Sequence, residues 1–233
     1  SSKFEDGSCE DEWDRMDNNG LGLGTLYMWA KEDNYGKYKE LTANDLRKLL
    51  LKSLTSAHND IAKVLYELFK DEFVYGKSKC WYIFRNHKWV RIGDGIYLKK
   101  KISNELVNAY LSLLTETSTK AQVLDDDDPE KEILIERMKK ISGIIIKLKA
   151  NSFKKSILDE ATEFFYKEYF EDLLDTNTHL IGFENGVYDL NSEIFRQGIP
   201  EDYISLSTRI NYETFDCCDE IIQEVNTFTQ QVL

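Results

Sequence analysis

Proline is nearly missing from this chain, with two residues in 233, and glycine is limited to twelve. So little of either rules out a linker-like or low-complexity polymer. No apolar run approaches the roughly 18 residues of a membrane span, and no membrane partner is expected. The acidic start does not show the basic-then-apolar layout of a secretory leader. The four cysteines, Cys9, Cys80, Cys217 and Cys218, include no C-x-x-C pair. The vicinal Cys217-Cys218 is a poor tetrahedral chelate, so zinc is not expected and the thiols read as reduced. A soluble intracellular protein is the expectation. Net positive charge is also lacking: the formal charge is -12, which by itself opposes non-specific binding to phosphate backbones.

What is present is enough for a core. Hydrophobic residues make up 42% and aromatic residues 12% of the chain, which argues against disorder despite 31% charged residues. The charge is unevenly distributed. Tyr75 to Lys101 carries eight Lys/Arg against Asp94 alone, and Lys131 to Lys155 carries eight against Glu132 and Glu136. Seventeen carboxylates between Ser156 and Leu233 face only Lys167, Arg196 and Arg209.

Spacing suggests an α+β fold, predominantly helical with a small antiparallel or mixed sheet. Residues 1–20 read as an acidic surface or linker segment, 21–55 as a helical connector, 56–215 as the main domain and 216–233 as the start of another helix. Thr25 can cap a short helix after Gly20, Gly22 and Gly24, and a second helix fits Ala43 to Ser53. Ile61, Val64, Leu65, Leu68 and Phe69 follow the helical period across Asp60 to Lys70. Trp81 to Arg85 and Lys88 to Arg91, joined by Asn86-His87, read as a β-hairpin in which Phe84 faces Trp89, Ile83 faces Val90 and Tyr82 faces Arg91. Helical spacing returns at Ile102, Leu106, Ala109, Tyr110 and Leu113. A polar stretch then leads to Pro129 in the first turn of a helix continuing from Ile133 to Lys149. Ser152 can cap the next helix, which is expected to run through Tyr169 towards Leu174. Leu180 to Gln197 reads as a meander with Asn185-Gly186 as a turn tolerant of positive φ, and Tyr203 to Ser207 as a further strand. Hairpin and meander together are expected to build the sheet.

Several residue groups are candidates for chemistry. Asp125 to Asp128 has the composition of a carboxylate metal cluster for a nuclease or nucleotidyltransferase, but consecutive residues in a loop aim their oxygens apart, which favours a solvated linker. The glycine series lacks the third glycine and the preceding strand of a dinucleotide loop. His58, His87 and His179 have no partner at ligand spacing. In the hairpin region, Lys77, Lys79, Arg85, Lys88 and Arg91 are candidates to pair with phosphates while Tyr82 or Trp89 stacks a base, with Lys99 and Lys100 extending the set. Core packing of those aromatics is the competing reading. Lys139, Lys140, Lys147, Lys149, Lys154 and Lys155 form a second basic stripe, facing DNA or the acidic surface of a neighbouring subunit.

The segment LIGFENGVYDLNSEIFRQGIPEDYISLSTRINY, Leu180 to Tyr212, resembles the stretch just upstream of the superfamily 3 helicase core in poxvirus-type primase-helicases and related phage and plasmid primases. GTLYMWAKEDNYGKY (Gly24 to Tyr38) and HNDIAKVLYELFKDEFVY (His58 to Tyr75), leading into WYIFRNHKWVRI (Trp81 to Ile92), are similar in order to giant-virus members. Together they cover most of residues 20 to 215. The resemblance implies a non-catalytic adaptor or collar between a primase domain and a hexameric helicase domain of the same polypeptide. It also implies weak contact with single-stranded or forked DNA at a viral replication site in the host cytoplasm or nucleus. The phosphate-cradling pattern G-x-x-x-x-G-K-[ST] does not occur in these residues. No cofactor is therefore expected here, and ATP and magnesium belong to the helicase domain. A metal-dependent nuclease or nucleotidyltransferase and a pure protein-interaction module are the rival functions.

Overall fold

The computed structural model describes residues 43–214 and 220–232, with positions 30, 33, 34 and 37. The Thr25 helix, the glycine series, Cys9, Cys217 and Cys218 lie outside the described residues. The chain forms two compact units, one from residues up to Leu68 and Tyr97–Phe164, the other from Phe69–Ile96 and Phe165 onward.

The first unit is helical. Helix α1 (43–52) buries Leu50 and runs into a 3-10 turn at Ser53–Thr55, closed by Ser56 in the left-handed conformation (φ 64°). Helix α2, His58–Phe69, buries Ile61, Ala62, Val64 and Leu65 completely, each aliphatic side chain contributing about 1.5–3 kcal/mol of transfer free energy. Helix α3 (Ile96–Lys101) continues through one π-turn, Ile102–Leu106, into α4 (Val107–Val123). The π-turn has a reason in the sequence. Buried Leu98, Ile102, Leu106 and Tyr110 succeed one another at intervals of four, and in a regular α-helix each such step drifts by roughly 40°. One wider turn takes up that drift and keeps the row facing inward.

Helix α5, Pro129–Leu148, begins as expected: Pro129 occupies the first turn and the Asp128 side chain accepts the Glu130 amide at 2.8 Å. Joined to α4 by the short 124–128 turn and packed along it, α5 runs antiparallel to α4. Ile141, Ile144 and Leu148 are buried. Helix α6 spans Asn151–Phe165. It starts one residue before Ser152, whose carbonyl accepts the Ser156 hydroxyl, so Ser152 is not its cap. It also stops short of Tyr169, because Tyr166 forms a parallel bridge with Tyr75. Glu116 receives Arg47 and Lys120. The Tyr110 hydroxyl meets Ser53 in the core, and burial raises its pKa to about 12.

The second unit contains two separate three-stranded antiparallel sheets rather than one. Strands β1 (Phe73–Tyr75), β2 (Trp81–Arg85) and β3 (Lys88–Ile92) form the first, with Phe84 opposite Trp89, Ile83 opposite Val90 and Tyr82 opposite Arg91 as expected. Asn86 and His87 both have positive φ (49° and 63°), as a two-residue hairpin turn of this hand requires. Both faces are covered. Trp81 meets Phe165 edge-on on one side, while Val74, Tyr82 and Trp89 pack with Phe170 on the other. Phe170 opens α7, Phe170–Leu173.

The second sheet is the meander of β4 (Leu180–Phe183), β5 (Gly186–Asp189) and β6 (Ile194–Arg196). Asn185 and Gly186 were expected to supply positive φ, and neither does. Asn185 instead exchanges two hydrogen bonds with the Tyr212 backbone, at 2.8 and 3.0 Å. Gly186 is required for space, since a Cβ there would lie 2.5 Å from the Arg196 carbonyl oxygen. The 203–207 segment forms no strand. It still ties this unit together, because Ile204 accepts the Trp89 amide and the Ser205 amide donates to the Asp175 carboxylate. The last described element is α8, Glu220–Val232.

Candidate nucleic-acid interface

Seven of the nine residues expected to contact DNA lie in the second unit, and the structure disperses them. Tyr82 and Trp89 are 8% and 3% exposed, with their rings against Phe170 at 5.1 and 4.9 Å. The Tyr82 hydroxyl donates to Glu171 and the Trp89 indole nitrogen to the Pro200 carbonyl. A base cannot reach either face, so for these two residues core packing replaces the stacking expectation. Lys77 bonds Asp172 at 2.6 Å, which raises the lysine pKa, and Lys88 bonds Glu184 at 2.7 Å. That bond and one from Ser207 hold the Glu184 carboxyl below its ordinary range. Lys79 sits in the β1–β2 loop with φ 57°, and Arg85 ends β2, both exposed.

Arg91 donates from Nη2 to Cys80 Sγ at 2.9 Å, and this bond, with a second from Ser78, lowers the Cys80 thiol pKa. Removing the guanidinium should therefore raise that pKa and shrink the thiolate fraction near neutrality. In an Arg91→Ala variant the midpoint of Cys80 alkylation by iodoacetamide, read by peptide mass spectrometry, should move to higher pH. An unmoved midpoint would show that Arg91 does not govern the thiol.

Lys99 and Lys100 belong to the first unit, where they have different company. Because α5 returns antiparallel along α4, its C-terminal end and the start of α6 come back beside α3. A hydrogen bond from Lys154 Nζ to Ser103 Oγ, at 3.1 Å across 51 positions of sequence, marks the meeting point. This end of the unit gathers Lys99, Lys100, Lys101, Lys147, Lys149, Lys154 and Lys155. Lys101 pairs with Glu105 at 3.4 Å, Lys100 lies 5.8 Å from the Tyr97 ring centroid and Lys147 lies 6.0 Å from that of Phe153. Among the described residues, Lys99, Lys100, Lys149 and Lys155 make no ion pair with a carboxylate. The C-terminal ends of the two basic stretches thus meet. In sequence, the clue was the short turn at 124–128, which forces antiparallel pairing and brings the two ends together.

The opposite end of the α4–α5 pair is acidic. Asp126 pairs with Lys131 at 2.6 Å and Asp128 caps α5, so the carboxylates of this run turn to different partners. His87 accepts the Gly198 amide at Nδ1, and His58 packs edge-on against Phe153. No helix among the described residues is long and apolar enough to cross a membrane.

The profile of the family described as D5 N terminal like matches residues 62–230. A protein named "Putative helicase L207/L206" from Acanthamoeba polyphaga mimivirus is 35% identical over 240 residues, covering 99% of this chain and 24% of that protein. "Putative helicase 022R" of Frog virus 3 is 27% identical, over 92% of this chain and 25% of its own length. "Putative primase C962R" of African swine fever virus (isolate Tick/Malawi/Lil 20-1/1983) is 24% identical, over 82% and 22%. This chain therefore spans about a quarter of the length of these relatives. With the matched segment taking in both sheets and all of α4 to α7, the chain belongs to the D5 N-terminal-like family.

Proposed function

We propose that this chain is a non-catalytic adaptor of a viral DNA primase-helicase, joining primase and helicase domains of one longer polypeptide, supporting assembly of a homo-hexameric ring and guiding DNA. Its relatives carry the names helicase and primase, and 56–215 is the segment that acts as the adaptor. ATP and magnesium serve the helicase domain. The work takes place where the viral genome is replicated.

The observation that supports DNA contact is the convergence of lysines at one end of the first unit. Four of them, Lys99, Lys100, Lys149 and Lys155, have no carboxylate partner among the described residues. Unpaired lysines around a helix end act on phosphates by releasing condensed counterions. Relative to the hairpin, where Lys77 and Lys88 already serve Asp172 and Glu184, this patch has more charge to offer. The primary contact is thus with the sugar-phosphate backbone and is indifferent to sequence.

The test is a fluorescence-anisotropy titration of a single-stranded oligonucleotide across a range of salt. The Lys99→Ala, Lys100→Ala, Lys149→Ala, Lys155→Ala combination should weaken binding roughly tenfold at low salt. It should also flatten the logarithmic salt slope by up to about 3, at about 0.7 per lost phosphate contact. A Lys88→Ala, Arg91→Ala pair should do less. A flat titration for the parent chain, or an unchanged slope in the quadruple variant, would remove DNA guidance and leave a protein-interaction module.

A further inference from the structure

Between the end of α1 and the outward side of α5, the first unit carries an open groove of about 850 Å³. Leu51 and Leu54 line it from the α1 side, and Ile133 and Ile135 from α5, two positions apart and so on different flanks of that helix. Ile133 and Ile135 are 59% and 43% exposed. The rim adds Lys52, Arg137, Lys139 and Lys140 against Glu132 and Glu136, four positive charges against two negative. Ile133 shares its flank of α5 with Arg137 and Lys140, so an exposed aliphatic side chain and cationic groups border the groove together.

Helix α8 has the complementary character. Its sequence, EIIQEVNTFTQQV, contains two carboxylates and no lysine or arginine. Val225 and Phe228, three positions apart and hence on one face, are 54% and 66% exposed. Glu224 is exposed and lies one turn from Phe228. Thirteen residues of helix extend about 20 Å, enough to present both apolar side chains and the acid to one groove.

We propose that the groove of one copy receives α8 of a second copy, with Val225 and Phe228 against Ile133, Leu51 and Leu54 and Glu224 beside Lys139 and Lys140. The inference rests on the ring-assembly part of the function proposed above and supplies its surfaces. Donor helix and acceptor groove are different surfaces, so each copy both gives and receives, which is the heterologous geometry that closes rings. Contact through one helix is at the small end of specific interfaces, so self-association is weak and concentration-dependent.

Sedimentation velocity of the 233-residue chain over a wide concentration range tests this. The average mass should rise with concentration. Ile133→Glu, at an exposed position that leaves the fold intact by circular dichroism, should raise the dissociation constant about thirtyfold, as expected for a central apolar contact. The pair Lys139→Glu, Lys140→Glu should weaken association in the same direction, and adding Glu224→Lys to that chain should restore it. A monomer at every concentration overturns the proposal. So does association that ignores both Ile133→Glu and the charge reversal, although assembly through another surface would then stand. The DNA titration is read separately, so loss of this contact and loss of DNA guidance are distinguishable.

Discussion

Phe170→Ala should lower the stability of the second unit by about 4 kcal/mol, within the range for removing a fully buried phenylalanine ring. Phe170 is 1% exposed and stands at the meeting point of Val74, Tyr82 and Trp89. Its ring contacts Tyr82, Trp89 and Tyr203 at centroid separations of 5.1, 4.9 and 6.0 Å, mostly edge to face. The loss has two parts: the transfer free energy of the ring, and a cavity whose walls are too stiff to collapse. Those walls are stiff because the Trp89 backbone is tied to Ile204 at 2.7 Å and its indole nitrogen to Pro200 at 2.8 Å. Four-residue α7 has little of its own to hold it in place, so it should loosen with its anchor. Chemical denaturation followed by tryptophan fluorescence would measure the effect, and Phe170→Leu should recover part of it. A midpoint unchanged in Phe170→Ala would mean that the aromatic cluster does not hold this unit together.

The second large effect is expected at Asp202. Its carboxylate is buried, accepts both Arg196 terminal nitrogens at 2.8 and 2.6 Å, and accepts the Ile199 amide at 2.9 Å. In return it raises the Arg196 pKa. Alanine at this position leaves a partly buried guanidinium without its counter-charge and frees the turn at Pro200–Asp202 that presents a carbonyl to Trp89. Breaking a fully buried pair costs about 3–5 kcal/mol. The Arg196 side chain is 35% exposed, so solvent screens part of that and about 2–3 kcal/mol is expected. Asp202→Asn retains an acceptor for the Ile199 amide and should cost less. Hydrogen exchange of β3 and β6 should rise in Asp202→Ala, and unchanged protection there would show that the pair is dispensable.

The hairpin, its register and the meander were readable because their instructions are local. Alternation along Trp81 to Ile92 and two turn residues able to take positive φ leave one pairing in which each face is consistent. The α5 start was equally local, since an aspartate followed by proline satisfies the first free amides of a helix whatever surrounds it. Where a role depended on distant atoms, local reading failed. Gly186 was expected for its backbone freedom and is needed for room beneath Arg196. Asn185 was expected for the same freedom and is used for its amide, bonded to Tyr212. The helix expected to reach Tyr169 ends where Tyr166 meets Tyr75, a contact 91 positions apart that no periodicity announces.

The sequence by itself determined most of the helices and strands, the pairing within the Trp81 to Ile92 hairpin, the presence of two basic stretches and the family. The tertiary structure alone decided which of those charges are available. Lys77 and Lys88 are matched by carboxylates nearly a hundred residues away, and Tyr82 and Trp89 are enclosed by Phe170. Lys99 and Lys100 are joined by lysines some fifty residues on, because α5 folds back along α4. The physical reason is range: backbone propensity and side-chain periodicity act over one or two turns, whereas charge pairing and burial depend on atoms that only the folded chain brings within a few ångströms.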